Sequence, residues 1–212
     1  MTILPRTKFE ADVEKTLEFV VDALVKDDLH YPALTIIGMA AVLIQKQDLL
    51  EVERTEDVDI LADFIGDIRD LKFTLESLEE RELIDGQIIT DSAHVVSFFP
   101  FGEKPPMSFD FTFPGRNLKD LFDSVRRNAK EKIGEFKETS FYVAKLEDAL
   151  ICKAAVGRTK DKRGLERVIP VLDRKGDVDW DYFWKTARKT HVIRNVEETL
   201  KHTNIRELLK GY

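Results

Sequence analysis

The spacing of hydrophobic residues along the chain changes several times, and each change predicts a switch between helix and strand. Apolar residues at helical intervals predict a first helix over Phe9–Lys26. The short β-branched run Leu34–Ile37 predicts a buried strand, which Gly38 ends before Met39–Leu50 returns to helix-favouring residues. A second strand is predicted at Val58–Leu61, with the sequence VDIL.

The middle of the chain continues this alternation. A long helix is predicted over Asp63–Ile84, because its apolar residues fall on one stripe, and Asp85-Gly86 is expected to end it as a turn. Three short strands are then predicted, at Gln87–Ile89, His94–Phe99 and Ser108–Phe113, with a loop at Gly102–Pro106 between the last two.

The last third of the chain is mainly helical in pattern. A helix is predicted from Leu118 and a short strand at Phe141–Ala144. Further helices are predicted at Leu146–Val156, Leu165–Leu172, Trp180–Lys189 and Val196–Leu209. The pattern predicts an α/β (α+β) fold, a small mixed sheet flanked by helices with a C-terminal helical extension. We expect an α/β core over residues 1–145 and a helical region over residues 146–212 that packs on it.

Composition limits the functional classes. The formal net charge is −7, so general binding of nucleic acid by electrostatic attraction is not expected. The single cysteine, Cys152, excludes an intramolecular disulfide and a thiolate metal cluster, which is typical of a protein of the reducing cytoplasm. The N-terminus lacks the apolar segment of a signal peptide, and the longest apolar run, Ala33–Ile44, is too short to span a membrane. We therefore expect a cytoplasmic protein with no membrane partner.

Three aspartates are the strongest candidates for chemistry. Asp57 and Asp59 lie two positions apart on a predicted strand, so their side chains share one face. In the later strand SFDFTF the phenylalanines form one face and Asp110 lies on the opposite, polar face. If the two strands are neighbours, at a spacing of about 4.8 Å, Asp110 stands beside the other pair. Three carboxylates so close repel one another unless cations lie between them, and oxygen ligands of this kind suit Mg²⁺ or Mn²⁺.

A structural interpretation of the same residues stays open. A D-x-D pattern on a strand is also typical of the solvated face of an antiparallel sheet, and Asp110 can be explained in the same way. In that case the protein would be a structural α/β protein in which Asp57 and Asp110 lie far apart. The order of elements favours the metal site: a strand, a glycine turn, a helix and then the D-x-D strand.

The segments IIGMAAVLI and RTEDVDIL resemble the nucleotidyltransferase superfamily, which shares its catalytic core with DNA polymerase β. In that family a strand ends in a Gly-Gly or Gly-Ser turn before a helix, the next strand carries D-x-D, and a third acidic residue follows on a later strand. Gly38, Asp57, Asp59 and Asp110 match these positions. The segment RTEDVDIL is particularly similar to the corresponding segment of the bacterial and archaeal branch that includes minimal nucleotidyltransferases and abortive-infection toxins. The segments LEDALICKAAVGRTKDKRGLERVIPVL and VDWDYFWKTARK extend the resemblance to roughly residues 30–190.

The resemblance implies a metal-dependent nucleotidyltransferase that moves a nucleoside monophosphate from a nucleoside triphosphate, such as ATP, to an acceptor hydroxyl and releases pyrophosphate. The resemblance does not identify the acceptor, and a protein, a tRNA or a small molecule would each be compatible with it. The catalytic and metal-binding residues it implies are Asp57, Asp59 and Asp110, with Mg²⁺ (or Mn²⁺). The nucleotide-binding residues it implies are Gly38, Met39 and Lys153.

One departure from the family pattern supports an alternative function. Ile37 stands where the family has the first small residue of the turn, and a β-branched side chain adds bulk beside the phosphates. The alternative is a catalytically inactive protein of the same fold, a binding or regulatory module of a toxin–antitoxin or defence system. A cleft filled by Ile37 or Met39 would favour it.

Other candidates also have two interpretations. Lys153 lies on an apolar helical stripe, so its ammonium group either contacts phosphate or extends to solvent. The segment RTKDKR, Arg158–Arg163, is expected to be an exposed loop between helices, with anion binding as the alternative. Asp177 or Asp179 is expected to cap the helix that follows. Cys152 is expected to be a small buried hydrophobic residue.

Overall fold

The structure is a computed structural model that describes residues 7–25, 32–62, 84–90, 95–100, 105–112 and 117–201. The chain divides into two compact units, each made of three segments. The first unit comprises Met1–Ile36, Glu56–Phe113 and Lys132–Tyr142, and the second comprises Ile37–Thr55, Pro114–Glu131 and Val143–Tyr212. The division at residue 145 stays a prediction.

The first unit is built on one seven-stranded sheet. Its strands are β1 (Ala33–Ile37), β2 (Asp57–Ala62), β3 (Ile84–Thr90), β4 (Val95–Pro100), β5 (Ser108–Thr112), β6 (Glu131–Phe136) and β7 (Thr139–Val143). Their order across the sheet is β3-β4-β5-β2-β1-β7-β6. Strands β2 and β5 are parallel, whereas β4 pairs antiparallel with both β3 and β5, so the sheet is mixed. The predicted mixed α/β fold is confirmed.

Helix α1 (Lys8–Val25) belongs to the same unit. Its apolar stripe is buried as the spacing predicts, at Val13, Leu17, Val20 and Val21. The hydroxyl oxygen of Thr16 accepts a hydrogen bond of 3.3 Å from the backbone N–H of Met107, just before β5. This contact attaches the helix to the strand that carries Asp110.

The second unit is helical in its described part. It contains α2 (Gly38–Gln45), a short 3-10 helix (Gln47–Glu51), α3 (Lys119–Asn128), α4 (Leu146–Val156), α5 (Thr159–Lys175), α6 (Trp180–Lys189) and α7 (Ile193–Leu200). Helix α4 contacts each of the other five α-helices. All of its residues except the last are buried, which is typical of a helix at the centre of a core. Among the described helices, none has the length and apolarity needed to cross a membrane.

Two sequence predictions are wrong in detail. Asp85-Gly86 does not form a turn but lies inside β3, whose register with β4 shifts between Ile84 and Gln87. A glycine within a strand is typical of such an irregularity. The segment Arg158–Arg163 is not a loop, because α5 begins at Thr159.

Other boundaries differ less. The helix predicted from Met39 ends at Gln45 and is followed by the 3-10 helix. The sequence did not predict β6, and it predicted only the central turns of α5. Residues 63–83 of the predicted long helix, residues 102–104 of the predicted loop, Phe113 and residues 202–209 lie outside the described residues.

The turn between β6 and β7 offers a test of local strain. Its two residues, Lys137 and Glu138, have φ values of 44° and 66°. Left-handed backbone costs an ordinary residue roughly 1–2 kcal/mol, which is why turns of this kind favour Asn-Gly. Glycine loses about 0.5–1 kcal/mol through its extra freedom in the unfolded chain. We therefore expect Glu138→Gly to raise the free energy of unfolding by about 0.5–1 kcal/mol in urea denaturation.

The matched control for this turn is Glu138→Ala. It removes the same carboxylate but keeps the Cβ atom, so we expect no gain in stability. An equal gain in both variants would show that the charge of Glu138, and not its backbone conformation, limits stability.

Candidate metal centre

The strand pairing of β2 with β5 brings the three predicted aspartates together. The two strands run parallel, with Asp59 opposite Asp110 and Asp57 opposite Ser108. Each aspartate offers a carboxylate oxygen, and these oxygens all lie within 4.8 Å of one another. The predicted proximity of the two strands is therefore confirmed, and the interpretation in which Asp57 and Asp110 lie far apart is wrong.

The apolar faces of the two strands explain this arrangement. Val58, Ile60, Phe109 and Phe111 alternate with the aspartates, and each is at most 1% exposed. The two phenylalanine rings pack edge to face, with centroids 6.1 Å apart. A slip of one residue in either strand would turn its apolar side chains away from the core, so burial of this face fixes the register. The same register places the carboxylates together on the other face.

The strand that carries Asp110 is also attached at its start. Both the backbone N–H and the hydroxyl group of Ser108 donate hydrogen bonds of 3.0 Å to the carbonyl oxygen of Glu56. Glu56 precedes Asp57 directly. The two strands are therefore held together at the position where the first aspartate occurs.

Burial differs within the cluster. Asp59 is only 6% exposed, whereas Asp57 and Asp110 are partly exposed. An ionised carboxylate is costly to bury unless a cation or hydrogen bonds compensate for its charge. Because their carboxylate oxygens lie within 4.8 Å of one another, the three acidic residues are close enough to bind a metal ion. Their donor set consists only of oxygen atoms, which fits a hard divalent cation.

The predicted glycine turn is present at the end of β1. Ile37 has an extended backbone, with φ of −122° and ψ of −170°, so its β-branched side chain is not strained. Gly38 has φ of 66°, a left-handed conformation in which a Cβ atom would be unfavourable. The local backbone therefore requires glycine at residue 38 and accepts isoleucine at residue 37.

Met39 lies inside the second unit. It is 5% exposed, and its Cε atom would lie 3.0 Å from a Cβ atom added to Gly164 of α5. The methionine side chain thus packs closely against this helix. Nucleotide binding by Gly38 and Met39 stays a prediction.

Lys153 is buried in α4 and does not extend to solvent. Its side chain is 8% exposed, and its ammonium group donates a hydrogen bond of 3.1 Å to Oδ1 of Asp161. The guanidinium group of Arg158 donates to both oxygens of the same carboxylate, at 2.8 and 3.3 Å. The solvent-exposed interpretation of Lys153 is wrong, and its contact with phosphate stays a prediction.

Asp161 is a residue that the sequence interpretation missed. The sequence predicts an exposed loop around Asp161. The residue is instead 1% exposed and lies in the first turn of α5, where it accepts a hydrogen bond from the backbone N–H of Arg158. Burial alone would raise the pKa of Asp161, but hydrogen bonds and charges from Arg158 and Lys153 more than offset it, and the pKa lies below its usual value. The feature of the sequence that indicates a buried acidic residue here is Lys153, because a lysine on an apolar helical stripe needs an anion nearby.

The minor sequence predictions for the second unit are confirmed. Asp179 caps α6, since its carboxylate accepts a hydrogen bond of 2.9 Å from the backbone N–H of Tyr182. Cys152 is buried, with 3% exposure.

Comparison with known proteins does not assign a family. No protein-family model matches the chain, and a search of the curated proteins gives no match either. The functional proposals therefore depend on the residues and geometry of this chain.

Proposed function

We propose that this protein is a metal-dependent nucleotidyltransferase, which moves a nucleoside monophosphate from a nucleoside triphosphate to an acceptor hydroxyl. The observation that carries the proposal is the cluster of Asp57, Asp59 and Asp110, whose carboxylate oxygens lie within 4.8 Å of one another. The glycine turn after β1 agrees with it, because Gly38 has the left-handed backbone that such a turn requires.

The three carboxylates would hold Mg²⁺ or Mn²⁺, since both ions prefer oxygen ligands. When bound, divalent ions reduce the charge of the triphosphate and stabilise the entering and leaving oxygens of an in-line displacement. The partly exposed Asp110 would accept the proton of the acceptor hydroxyl. A bond then forms between the acceptor oxygen and the α-phosphorus, and the bond from that phosphorus to the pyrophosphate oxygen breaks.

The residues proposed to bind the nucleotide have different roles. Gly38 lacks a side chain, so its backbone N–H can approach a phosphate closely. Lys153 would neutralise part of the phosphate charge, and Asp161 would orient its ammonium group. The side chain of Met39 is buried against α5, so Met39 would contribute through its backbone N–H, next to Gly38 at the start of α2.

A second proposal is a nucleotide-binding or regulatory protein without catalysis, as in a toxin–antitoxin or defence pair. Two observations favour it. Ile37 is 4% exposed, and its side chain adds bulk at the position where the turn of the nucleotidyltransferase superfamily has a small residue. The ammonium group of Lys153 already has a carboxylate partner in Asp161. Both proposals include a divalent ion bound by the three aspartates. Only the first includes transfer of the nucleotide, so a measurement of ion binding alone does not distinguish them.

Label transfer distinguishes the two proposals. Purified protein would be incubated with each of the four nucleoside triphosphates, labelled either at the α- or at the γ-phosphate, with Mg²⁺ or Mn²⁺. We expect α-label, but not γ-label, to become attached to an acceptor from a cell extract of protein, tRNA and small molecules. Nucleotide-dependent thermal stabilisation without transfer would support the second proposal. Neither stabilisation nor transfer with any nucleotide would contradict both.

A further inference from the structure

Another buried acidic residue, Asp148, lies in the first turn of α4 and has no role in the proposed reaction. Its exposure is 0%. Its Oδ1 atom accepts a hydrogen bond of 3.0 Å from the hydroxyl group of Tyr182, and its Oδ2 atom accepts one of 3.2 Å from Nδ2 of Asn128. Both donors are neutral groups.

These three residues join three helices of the second unit. Asn128 is the last residue of α3, Asp148 belongs to α4 and Tyr182 belongs to α6. Asn128 also donates a hydrogen bond of 2.7 Å to the hydroxyl oxygen of Tyr182, which closes a triangle of contacts. The carboxyl end of α3 is thus attached to the other two helices through this cluster, which we call the Asp148 cluster.

The charged groups near the cluster do not neutralise Asp148 directly. The ammonium group of Lys145 lies 3.5 Å above the ring of Tyr182 and forms a salt bridge of 3.4 Å with Glu147. Within the described ranges, no lysine, arginine or histidine forms a salt bridge with Asp148 itself. Asp148 is therefore a buried carboxyl group stabilised by neutral hydrogen-bond donors.

The protonation equilibria agree with this geometry. Burial raises the pKa of Asp148 above its usual value, against the opposing effects of the hydrogen bonds from Asn128 and Tyr182 and the charge of Lys145; Glu147 adds to the rise. Burial and the nearby Asp148 also raise the pKa of Tyr182 to about 12. Of the two titratable members of this cluster, Asp148 is thus the one that ionises first as the pH rises.

We propose that the Asp148 cluster is a pH-sensitive switch. It stabilises the packing of the end of α3 against α4 and α6 when the carboxyl group is neutral, and it destabilises this packing when the carboxyl group ionises. A protonated Asp148 carries no charge into the interior and can itself donate a hydrogen bond to Tyr182. An ionised Asp148 places a charge among three packed helices, where two neutral hydrogen-bond donors and the charge of Lys145 offset the effect of burial only in part. The preferred arrangement of the helix junction therefore changes with pH.

The direction of the pH effect follows from the protonation states. In the unfolded chain Asp148 releases its proton near 3.8, whereas in the folded chain it holds the proton to a higher pH. The contribution of Asp148 to stability is thus greatest below 3.8 and declines as the pH rises through the folded-state pKa. Above that value the contribution is constant.

Tryptophan fluorescence can observe this cluster selectively. The chain has two tryptophans, Trp180 and Trp184, and both lie in α6 on either side of Tyr182. We expect a fluorescence titration of the full chain to show one transition at a pH above the usual carboxyl range. Asp148→Asn should abolish it, because the amide keeps the shape of the side chain but does not titrate.

Two further variants keep the test decisive. Asp173→Asn is the matched control, since Asp173 accepts a hydrogen bond of 2.9 Å from Nε1 of Trp180 and lies outside the cluster. It should retain the transition. Tyr182→Phe removes a donor that favours the ionised carboxylate, so it should move the transition to higher pH, even if Asp148→Asn does not fold. A wild-type transition that is absent, unchanged in Asp148→Asn or unmoved in Tyr182→Phe would overturn the proposal.

Discussion

Asp59→Asn is expected to abolish transfer of α-label from nucleoside triphosphates while leaving the fold intact. Asp59 is the buried member of the carboxylate cluster, and its amide replacement has nearly the same shape but no charge. Loss of residues that merely support a metal ligand costs about 10–100-fold in affinity or activity, so loss of the ligand itself should cost at least about 100-fold. Initial rates of label transfer at saturating Mg²⁺ would measure the effect.

The difference in thermal stability between Asp59→Asn and the wild type should depend on whether the divalent ion is present. Without divalent ions, Asp59→Asn removes a charge from three mutually repelling carboxylates, so it should unfold at a higher temperature than wild type. With excess Mg²⁺ or Mn²⁺, only the wild type should gain stability.

Asp22→Asn is a suitable control for Asp59→Asn. It makes the same chemical change in α1 of the same unit, where Asp22 forms a partly exposed salt bridge with Lys137. It should transfer label at the wild-type rate. Full activity of Asp59→Asn would contradict the assignment of this site.

The second large effect is expected at Asp161. Asp161→Asn should lower the free energy of unfolding by about 3–5 kcal/mol, the usual cost of removing one partner from a buried ion pair. The carboxylate is 1% exposed and is shared by Lys153 and Arg158, so a neutral amide cannot balance the two cations. Urea denaturation at neutral pH would measure the change.

The same substitution has a predictable pH dependence. Since the folded-state pKa of Asp161 lies below its ordinary value of 3.8, its contribution to stability is complete above 3.8 and is lost as the pH falls through the folded-state pKa. The difference between wild type and variant should therefore shrink in acid. Glu166→Gln, an exposed position of the same helix, should change stability by no more than about 0.5 kcal/mol. Equal effects of both substitutions would show that the buried network does not stabilise α5.

The sequence predicted the proximity of the three aspartates well because two simple patterns agree there. Alternation placed Asp57 and Asp59 on one face and the phenylalanines of β5 on the face opposite Asp110. Burial of those phenylalanines then fixed the register that brings the three carboxylates together. Only the pairing of β2 with β5 had to be assumed.

The predictions failed where local composition and tertiary packing disagree. Asp85-Gly86 has the composition of a turn, but pairing with β4 holds it within a strand. The charged segment at Arg158 has the composition of an exposed loop, yet Asp161 is drawn into the interior by Lys153. The Asp148 cluster joins residues that are 20 and 34 positions from Asp148, and no local pattern indicates such contacts.

The most direct test of the metal centre is a titration of the protein with Mn²⁺, in which electron paramagnetic resonance measures the free ion. The three carboxylates predict saturable binding by the wild type that Mg²⁺ displaces, that Asp22→Asn retains and that Asp59→Asn loses. Equal Mn²⁺ binding by the wild type and Asp59→Asn, or no binding by the wild type, would contradict the assignment of Asp57, Asp59 and Asp110 as a divalent-cation site.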